Sequence, residues 1–239
     1  MSTILITGAS KGIGRSCADL LHARGYEVIG LARNPANDDF PGEFHCVDLV
    51  DRKALDETLK AICSNKTIFG LVNNAGLVGA QSLNDIDLET MDEVFQVNLG
   101  AATQCAQHCS VAMQQQGCGS IVNISSELVL GLPNRTAYTS SKAALISATR
   151  TWALELSGSN VTVNAIAPGP VNTEFFNRNN PPGSSERKRK LERIPLGRFA
   201  EPDDVAKTVA FFMSGDARYI TGQTLFVDGG SSLASSALF

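Results

Sequence analysis

Tyr138 and Lys142 stand four residues apart in "AYTSSKAAL", residues 137–145. At i,i+4 on a helix the two side chains share one face. An ammonium beside a phenol favours the phenolate and lowers a pKa that starts at ~10. A phenol tuned in this way exchanges a proton near neutral pH, which is general acid–base chemistry. The same spacing occurs on ordinary helix surfaces, so the pair acquires meaning only from its surroundings. A second stretch, "TGASKGIG" at residues 7–14, places Gly8, Gly12 and Gly14 between an apolar run and a helical pattern. Glycines there permit a tight turn and close backbone approach to a pyrophosphate. The helix N-terminus adds amide donors and a partial positive charge.

The elements that must position these groups are legible as alternating patterns. Short apolar, β-branched runs predict strands at 3–7, 26–32, 44–48, 68–76 (running into a loop), 119–126, 161–169 and 223–230. Between them, longer patterns predict helices at 13–25, 51–63, 88–116, 137–157 and 202–214. Strands alternating with helices imply right-handed crossovers and a parallel sheet covered on both faces. The segment 175–197, "FFNRNNPPGSSERKRKLERIPLG", breaks the alternation with a PPG turn and a dense basic helix. An irregular stretch of that length in a compact domain predicts a lid or substrate loop. No linker-like composition divides the chain, so one domain over 1–239 is expected.

Bulk properties narrow the function. A chain of 239 residues is ample for a buried core. The net charge of -4 argues against general nucleic-acid binding. The chain opens on "STILITGAS", without a charged segment leading into an apolar one, and no apolar run reaches membrane-spanning length. These features predict no signal peptide, no membrane partner and a cytoplasmic location. The cysteines Cys17, Cys46, Cys63, Cys105, Cys109 and Cys118 form no CxxC pair and fall in elements that read as core. That is the pattern of reduced thiols. Cys105 and Cys109 share a helix face with His108 beside them; packing is the default there, and no metal is expected.

Seven motifs, taken together and in order, resemble the short-chain dehydrogenase/reductase family. They are "TGASKGIG" (7–14), "NNAG" (73–76), "VNL" (97–99), "NISS" (123–126), "YTSSK" (138–142), "APGPVNT" (167–173) and "TGQTLFVDGG" (221–230). The resemblance implies an α/β fold: a single Rossmann domain with a doubly wound, seven-stranded parallel sheet of order 3-2-1-4-5-6-7. It implies an oxidoreductase that moves a hydride between a nicotinamide and a carbonyl or alcohol. Tyr138 would be the general acid or base, with Lys142 lowering its pKa and binding the nicotinamide ribose. Asn98 would break its helix and hold a water linking Lys142 to solvent, and a serine would bind the substrate oxygen. The family's usual spacing to the tyrosine selects Ser125, whereas counting along the strand selects Ser126. A strand register is hard to slip and a loop deletion costs little, so Ser126 is expected. Cofactor contacts are implied at Gly8, Ser10, Lys11, Gly12, Ile13, Gly14, Asp48, Leu49, Asn74, Ala75 and Gly76. Further contacts are implied at Tyr138, Lys142, Pro168, Gly169, Val171 and Thr173.

Charge decides which dinucleotide is expected. NAD-preferring sites place a carboxylate at the end of the second strand, for the ribose 2′-OH. Here Ala32 holds that position, Arg33 follows it, and Lys11 lies in the glycine loop. Two cations and no carboxylate favour a 2′-phosphate, because arginine and phosphate pair bidentately. NADP(H) is therefore expected, with NAD(H) second, and reduction is the expected direction.

The C-terminal half resembles 3-oxoacyl-[acyl-carrier-protein] reductases in particular. Those enzymes carry basic groups for their acidic partner after the long helix and before the sixth strand. The corresponding segments here, "MQQQGCGS" (113–120) and "LSGSN" (156–160), hold no Lys or Arg. Without such groups, steering of an acidic protein is lost. The cluster "RKRK" (187–190) reads first as a solvated helix face and second as a basic contact for a carrier protein, supplied from the lid. The candidate substrate wall is Val78, Glu127, Leu128, Leu130, Leu132, Phe175 and Phe176. A small or medium ketone or secondary alcohol is the expected substrate. The alternatives are a 3-oxoacyl thioester and, from another class, a dinucleotide-binding sensor without turnover. The resemblance also implies a homotetramer. Leu145, Ala148, Trp152 and Leu156 suit either a helix–helix interface or core, and Leu238 and Phe239 are placed to reach a neighbouring subunit.

Overall fold

A computed structural model describes residues 2–234. Leu238 and Phe239 lie outside the described residues. Seven strands form one parallel sheet: β1 (Thr3–Thr7), β2 (Glu27–Ala32), β3 (Glu43–Cys46), β4 (Ile68–Asn73), β5 (Gly119–Ile124), β6 (Val161–Pro168) and β7 (Thr224–Val227). Their spatial order is β3-β2-β1-β4-β5-β6-β7, as the resemblance implies. β1, β4, β5 and β6 are buried along their whole length. That is why they read as unbroken apolar runs: a parallel sheet has helices on both faces and no solvated side.

Period-two alternation sends side chains from one strand into two cores. Ile4 and Ile6 of β1 pack with Cys17 and Leu21 of α1 (Gly12–Ala23) and with Val205, Val209 and Phe212 of α8 (Pro202–Phe212). Leu5, between them, faces the opposite layer. There it joins Leu55 and Leu59 of α2 (Arg52–Asn65), Cys105 and Met113 of α4 (Ala101–Gln116), and Leu156 of α5 (Thr136–Leu156). Leu145 is also fully buried. Leu145 and Leu156 are thus core residues, while Trp152 and Ala148 are half-buried.

Several boundaries follow local chemistry. Asp51 accepts from the amides of Lys53 and Ala54, both at 3.0 Å, and starts α2. Asp87 caps α3 (Leu88–Phe95) in the same manner. α4 stops at Gly117, whose φ of 65° is the left-handed conformation glycine tolerates best. The expected single helix over 88–116 is interrupted. Residues Gln96–Gly100 widen into a π turn, with the Ala101 amide bonding the Gln96 carbonyl. The segment expected to be irregular holds two short helices, α6 (Glu174–Asn179) and α7 (Ser185–Glu192). α9 (Ser231–Ala234) follows β7. Cys46 is exposed, contrary to its expected place in the core, because β3 is an edge strand. Among the described residues no helix is long and apolar enough to cross a membrane.

Candidate active site

The chain reverses direction across the sheet between β1 and β4, and at such a switch point a crevice opens beyond the carboxyl ends of the strands. The glycine loop leaves β1 here. Gly8 and Gly12 have φ of 67° and 59°. A Cβ on Gly14 would lie 2.2 Å from the Gly8 carbonyl oxygen, so only hydrogen fits. α1 begins at Lys11 with no side-chain cap and no acidic residue in its first turn. Its leading amides are therefore left to an external acceptor. Ser10 and Ile13 are half-buried beside them. This tight turn and uncapped helix fit the pyrophosphate of a dinucleotide.

The loop is fastened from β4. Asn74 Nδ2 donates to the carbonyls of Thr7 (3.0 Å) and Gly8 (3.1 Å). Thr7 Oγ1 accepts from the amides of Asn74 and Ala75. The Asn74 side-chain donor is thus committed to the loop. Thr7 escaped the sequence reading because its hydroxyl acts through a neighbouring strand.

Arg33 is exposed just past β2, and among the described residues no carboxylate pairs with it. Lys11 is also exposed, with a 3.6 Å ion pair to Glu174 at the start of α6. Asp48 accepts from the Val50 amide and Leu49 is buried, its carbonyl accepting from Gln96 Nε2. On the other side of the crevice Pro168 ends β6. A Cβ on Gly169 would lie 2.8 Å from Asp228 Cα. Val171 is buried in a bridge to Ala200, and Thr173 caps α6 through the Phe176 amide at 3.2 Å.

Tyr138 and Lys142 lie in the first turns of α5, which packs over β6. The two candidate serines separate cleanly. Ser125 Oγ donates to the Lys142 carbonyl at 3.0 Å and is spent on joining β5 to α5. Ser126 accepts from the Leu128 amide at 3.2 Å and is the side chain that draws the Tyr138 pKa down. The structure brings Ser126, not Ser125, to the tyrosine.

Asn98 sits in the π turn with its side chain fully used. Its Oδ1 accepts from the Leu77 amide at 2.8 Å, and its Nδ2 donates to the Leu77 carbonyl and to Ser141 Oγ. A Cβ on Gly76 would lie 3.4 Å from Lys142 Nζ and 3.6 Å from Asn98 Oδ1. Asn98 and Lys142 therefore meet over this glycine. Ser141, between tyrosine and lysine in the sequence, is the partner that spacing alone did not single out.

The electrostatics differ from the expectation. Lys142 is only 2 % exposed and its Nζ donates to the Ile124 carbonyl at 2.7 Å. Burial pushes its pKa from 10.5 down to about 8. Burial also raises the half-buried Tyr138 phenol, with the Ser126 hydrogen bond pulling the other way. In the protein alone the lysine does not bring the phenol below its ordinary value: for Tyr138 loss of water outweighs the Ser126 hydrogen bond, and for Lys142 loss of water acts unopposed.

The substrate side is less apolar than expected. Glu127 is half-buried, is hydrogen-bonded by Ser231, and has its carboxyl raised by burial. Val78, Leu128 and Leu132 are half-buried, whereas Leu130 is 61 % exposed and contributes little wall. Phe176 packs against Phe199 with the ring centroids 5.0 Å apart and the planes tilted by 55°. The Arg187 guanidinium lies over both rings, 5.3 and 4.7 Å from their centroids, and Lys190 Nζ donates to Asn180 Oδ1 at 2.6 Å. The basic helix is therefore not simply a solvated face: Arg187 and Lys190 turn inward, and Lys188 and Arg189 turn out.

An open parallel sheet with a glycine-lined crevice at its switch point, and a Ser–Tyr–Lys group beside it, defines a dinucleotide-dependent oxidoreductase fold. Comparison with known proteins agrees. The family profile described as Enoyl-(Acyl carrier protein) reductase matches residues 8–232. The 3-oxoacyl-[acyl-carrier-protein] reductase of Thermotoga maritima is 37 % identical, over 95 % of this chain and 96 % of that protein. The L-xylulose reductase of Caenorhabditis elegans is 39 % identical, over 96 % and 95 %. A solved structure from Beutenbergia cavernae, assigned as an NAD(P)-dependent gluconate 5-dehydrogenase with NADP bound at low occupancy, superimposes with a TM-score of 0.90. It is 34 % identical and covers 96 % of each chain. The chain belongs to the short-chain dehydrogenase/reductase family and is an oxidoreductase of that family.

Proposed function

We propose that the protein is an NADP(H)-dependent reductase of a free small or medium ketone, interconverting it with the secondary alcohol. The observation that carries this reading is the Ser126–Tyr138 hydroxyl pair at the crevice, with Lys142 one helical turn further on. When bound, the reduced nicotinamide supplies the hydride. Ser126 and Tyr138 together hold the substrate oxygen, and Tyr138 delivers the proton to it. Burial keeps the phenol protonated at neutral pH, which suits a proton donor and hence reduction. Lys142, beside Gly76 at the floor of the crevice, orients the nicotinamide ribose and relays protons toward Tyr138, while Asn98 fixes Leu77 and Ser141 around it.

Arg33, exposed and without a carboxylate partner among the described residues, and Lys11 in the loop supply the charge for a 2′-phosphate. The names of the relatives support the substrate class, since xylulose and gluconate are free hydroxylated molecules. Glu127 adds a half-buried acceptor beside Ser126 that fits a substrate hydroxyl. The second reading, a 3-oxoacyl thioester on a carrier protein, is favoured by the Thermotoga relative and by outward-facing Lys188 and Arg189. The inward turn of Arg187 and Lys190 halves the basic patch available to an acidic partner. A dinucleotide sensor without turnover has least support, because the full Ser–Tyr–Lys group is present. The segment 175–197 serves as the substrate lid, and the protein works as a cytoplasmic homotetramer.

The test is NADPH oxidation followed by absorbance, with free ketones and sugars set against 3-oxoacyl thioesters and NADH run in parallel. Turnover on free ketones that Tyr138→Phe abolishes, with NADPH binding retained, supports the proposal. Turnover only on thioesters overturns the substrate reading. Turnover untouched by Tyr138→Phe overturns the site.

A further inference from the structure

Three thiols meet between α2 and α4, on the sheet face away from α1. Cys63 lies in the last turn of α2, and Cys105 and Cys109 lie one turn apart on the facing side of α4. Cys63 packs against the apolar layer that holds Cys105 and Cys109, and the Cys109 thiol is the neighbour that most lowers its pKa. Cys105 and Cys109 are fully buried, whereas Cys63 is half-buried. Cys63 also lines a surface depression of about 440 Å³, with Lys60, His108 and Val111 around it. One thiol of the pair therefore meets solvent and the other is held behind it. Among the described residues no group of three or more His, Cys, Asp or Glu is arranged to hold a metal ion.

We propose that Cys63 and Cys109 are a redox pair, which a hydroperoxide converts to a disulfide joining α2 to α4. The reaction balances in two steps. The Cys63 sulfur attacks the terminal peroxide oxygen: an S–O bond forms, the O–O bond breaks, and the alcohol (water, for hydrogen peroxide) leaves. Cys63 is then a sulfenic acid. The Cys109 sulfur attacks the Cys63 sulfur, the S–S bond forms, and the S–O bond breaks. The Cys109 proton departs with the hydroxyl as water. Two thiols lose two electrons and two protons, and the peroxide is reduced.

The geometry divides the roles. Attack on a peroxide needs access and thiolate character, and the Cys109 thiol lowers the Cys63 pKa while its own is raised. A buried resolving thiol beside it then captures the sulfenic acid before a second peroxide does. Closing the pair asks the two sulfurs to approach to about 2 Å. Cys63 is close to the helix end, where Lys66 is already extended, so α2 can yield there. Cys105 is not hydrogen-bonded to Cys63, and burial pushes its own thiol up to about 12.

The full chain is treated with one equivalent of hydrogen peroxide, alkylated under denaturing conditions, and mapped by peptide fragmentation that separates Cys105 from Cys109. The expected result is a loss of two hydrogens per chain, a Cys63–Cys109 link, and its reversal by dithiothreitol. In Cys109→Ser the same treatment leaves Cys63 as a sulfenic acid trapped by dimedone. If exposed Cys46 is consumed first while Cys63 and Cys109 remain alkylatable, the proposal fails. A link from Cys63 to Cys105 overturns it equally.

Discussion

Replacing Lys142 by methionine tests the central electrostatic claim. Burial lowers the Lys142 pKa from 10.5 to about 8 in the folded chain. Between those values the unfolded chain binds a proton that the folded chain does not, so stability rises with pH through this window. Taking 10.5 for the unfolded chain and about 8 for the folded one, the gain from about pH 7 to about pH 9.5 is about 2 kcal/mol. Other groups titrate there as well, and the raised phenol of Tyr138 loses stability only above its ordinary range. The informative quantity is therefore the difference between wild type and Lys142→Met, in which shared contributions cancel. The variant also strips the Ile124 carbonyl of its donor, which costs about 1–3 kcal/mol at every pH and leaves the slope untouched. Denaturant unfolding at one protein concentration and a series of pH values measures the difference. Wild type should gain on the variant by about 2 kcal/mol across the window. Parallel curves would refute the buried, depressed lysine, whatever the variant does to turnover.

Other perturbations read other parts of the site. Arg33→Ala should raise the KM for NADPH by about 10- to 100-fold, the worth of a charge-assisted pair, and leave the KM for NADH unchanged. Equal effects on both cofactors would remove Arg33 from the 2′-phosphate. Gly14→Ala would place a Cβ 2.2 Å from the Gly8 carbonyl oxygen. NADPH binding by fluorescence should be lost while the far-ultraviolet dichroism stays helical. Thr149→Val leaves the buried Asn123 amide, now 2.8 Å from Thr149 Oγ1, without an acceptor; unfolding should show a loss of about 1–3 kcal/mol. Arg187→Ala removes the cation from Phe176 and Phe199 and the 2.6 Å bond to Asn177. Cleavage at the Pro181–Ser184 turn by a broad-specificity protease should quicken, and substrate KM should rise more than cofactor KM.

Much of this protein was legible before folding. Unbroken apolar strands separated by helical periods require a parallel sheet, because only burial on both faces tolerates them. The glycine spacing at 8, 12 and 14 and the Tyr138–Lys142 step are local, and local geometry survives into the fold. What the sequence by itself could not decide were contacts made across elements. Ser125 and Ser126 are neighbours on one loop edge, and only the packing of α5 against β5 sends the first to the Lys142 carbonyl and the second to Tyr138. Arg187 and Lys190 read as surface charge until Phe199 and Asn180, remote on the chain or across the lid, gave them partners. On spacing alone the ammonium was expected to lower the pKa of the phenol, and nothing was foretold of its own. Burial reverses the first and depresses the second, since desolvation depends on every layer above the group and not on its nearest neighbour in the chain. Cys63 and Cys109, 46 positions apart, meet only because α2 and α4 cover the same face of the sheet.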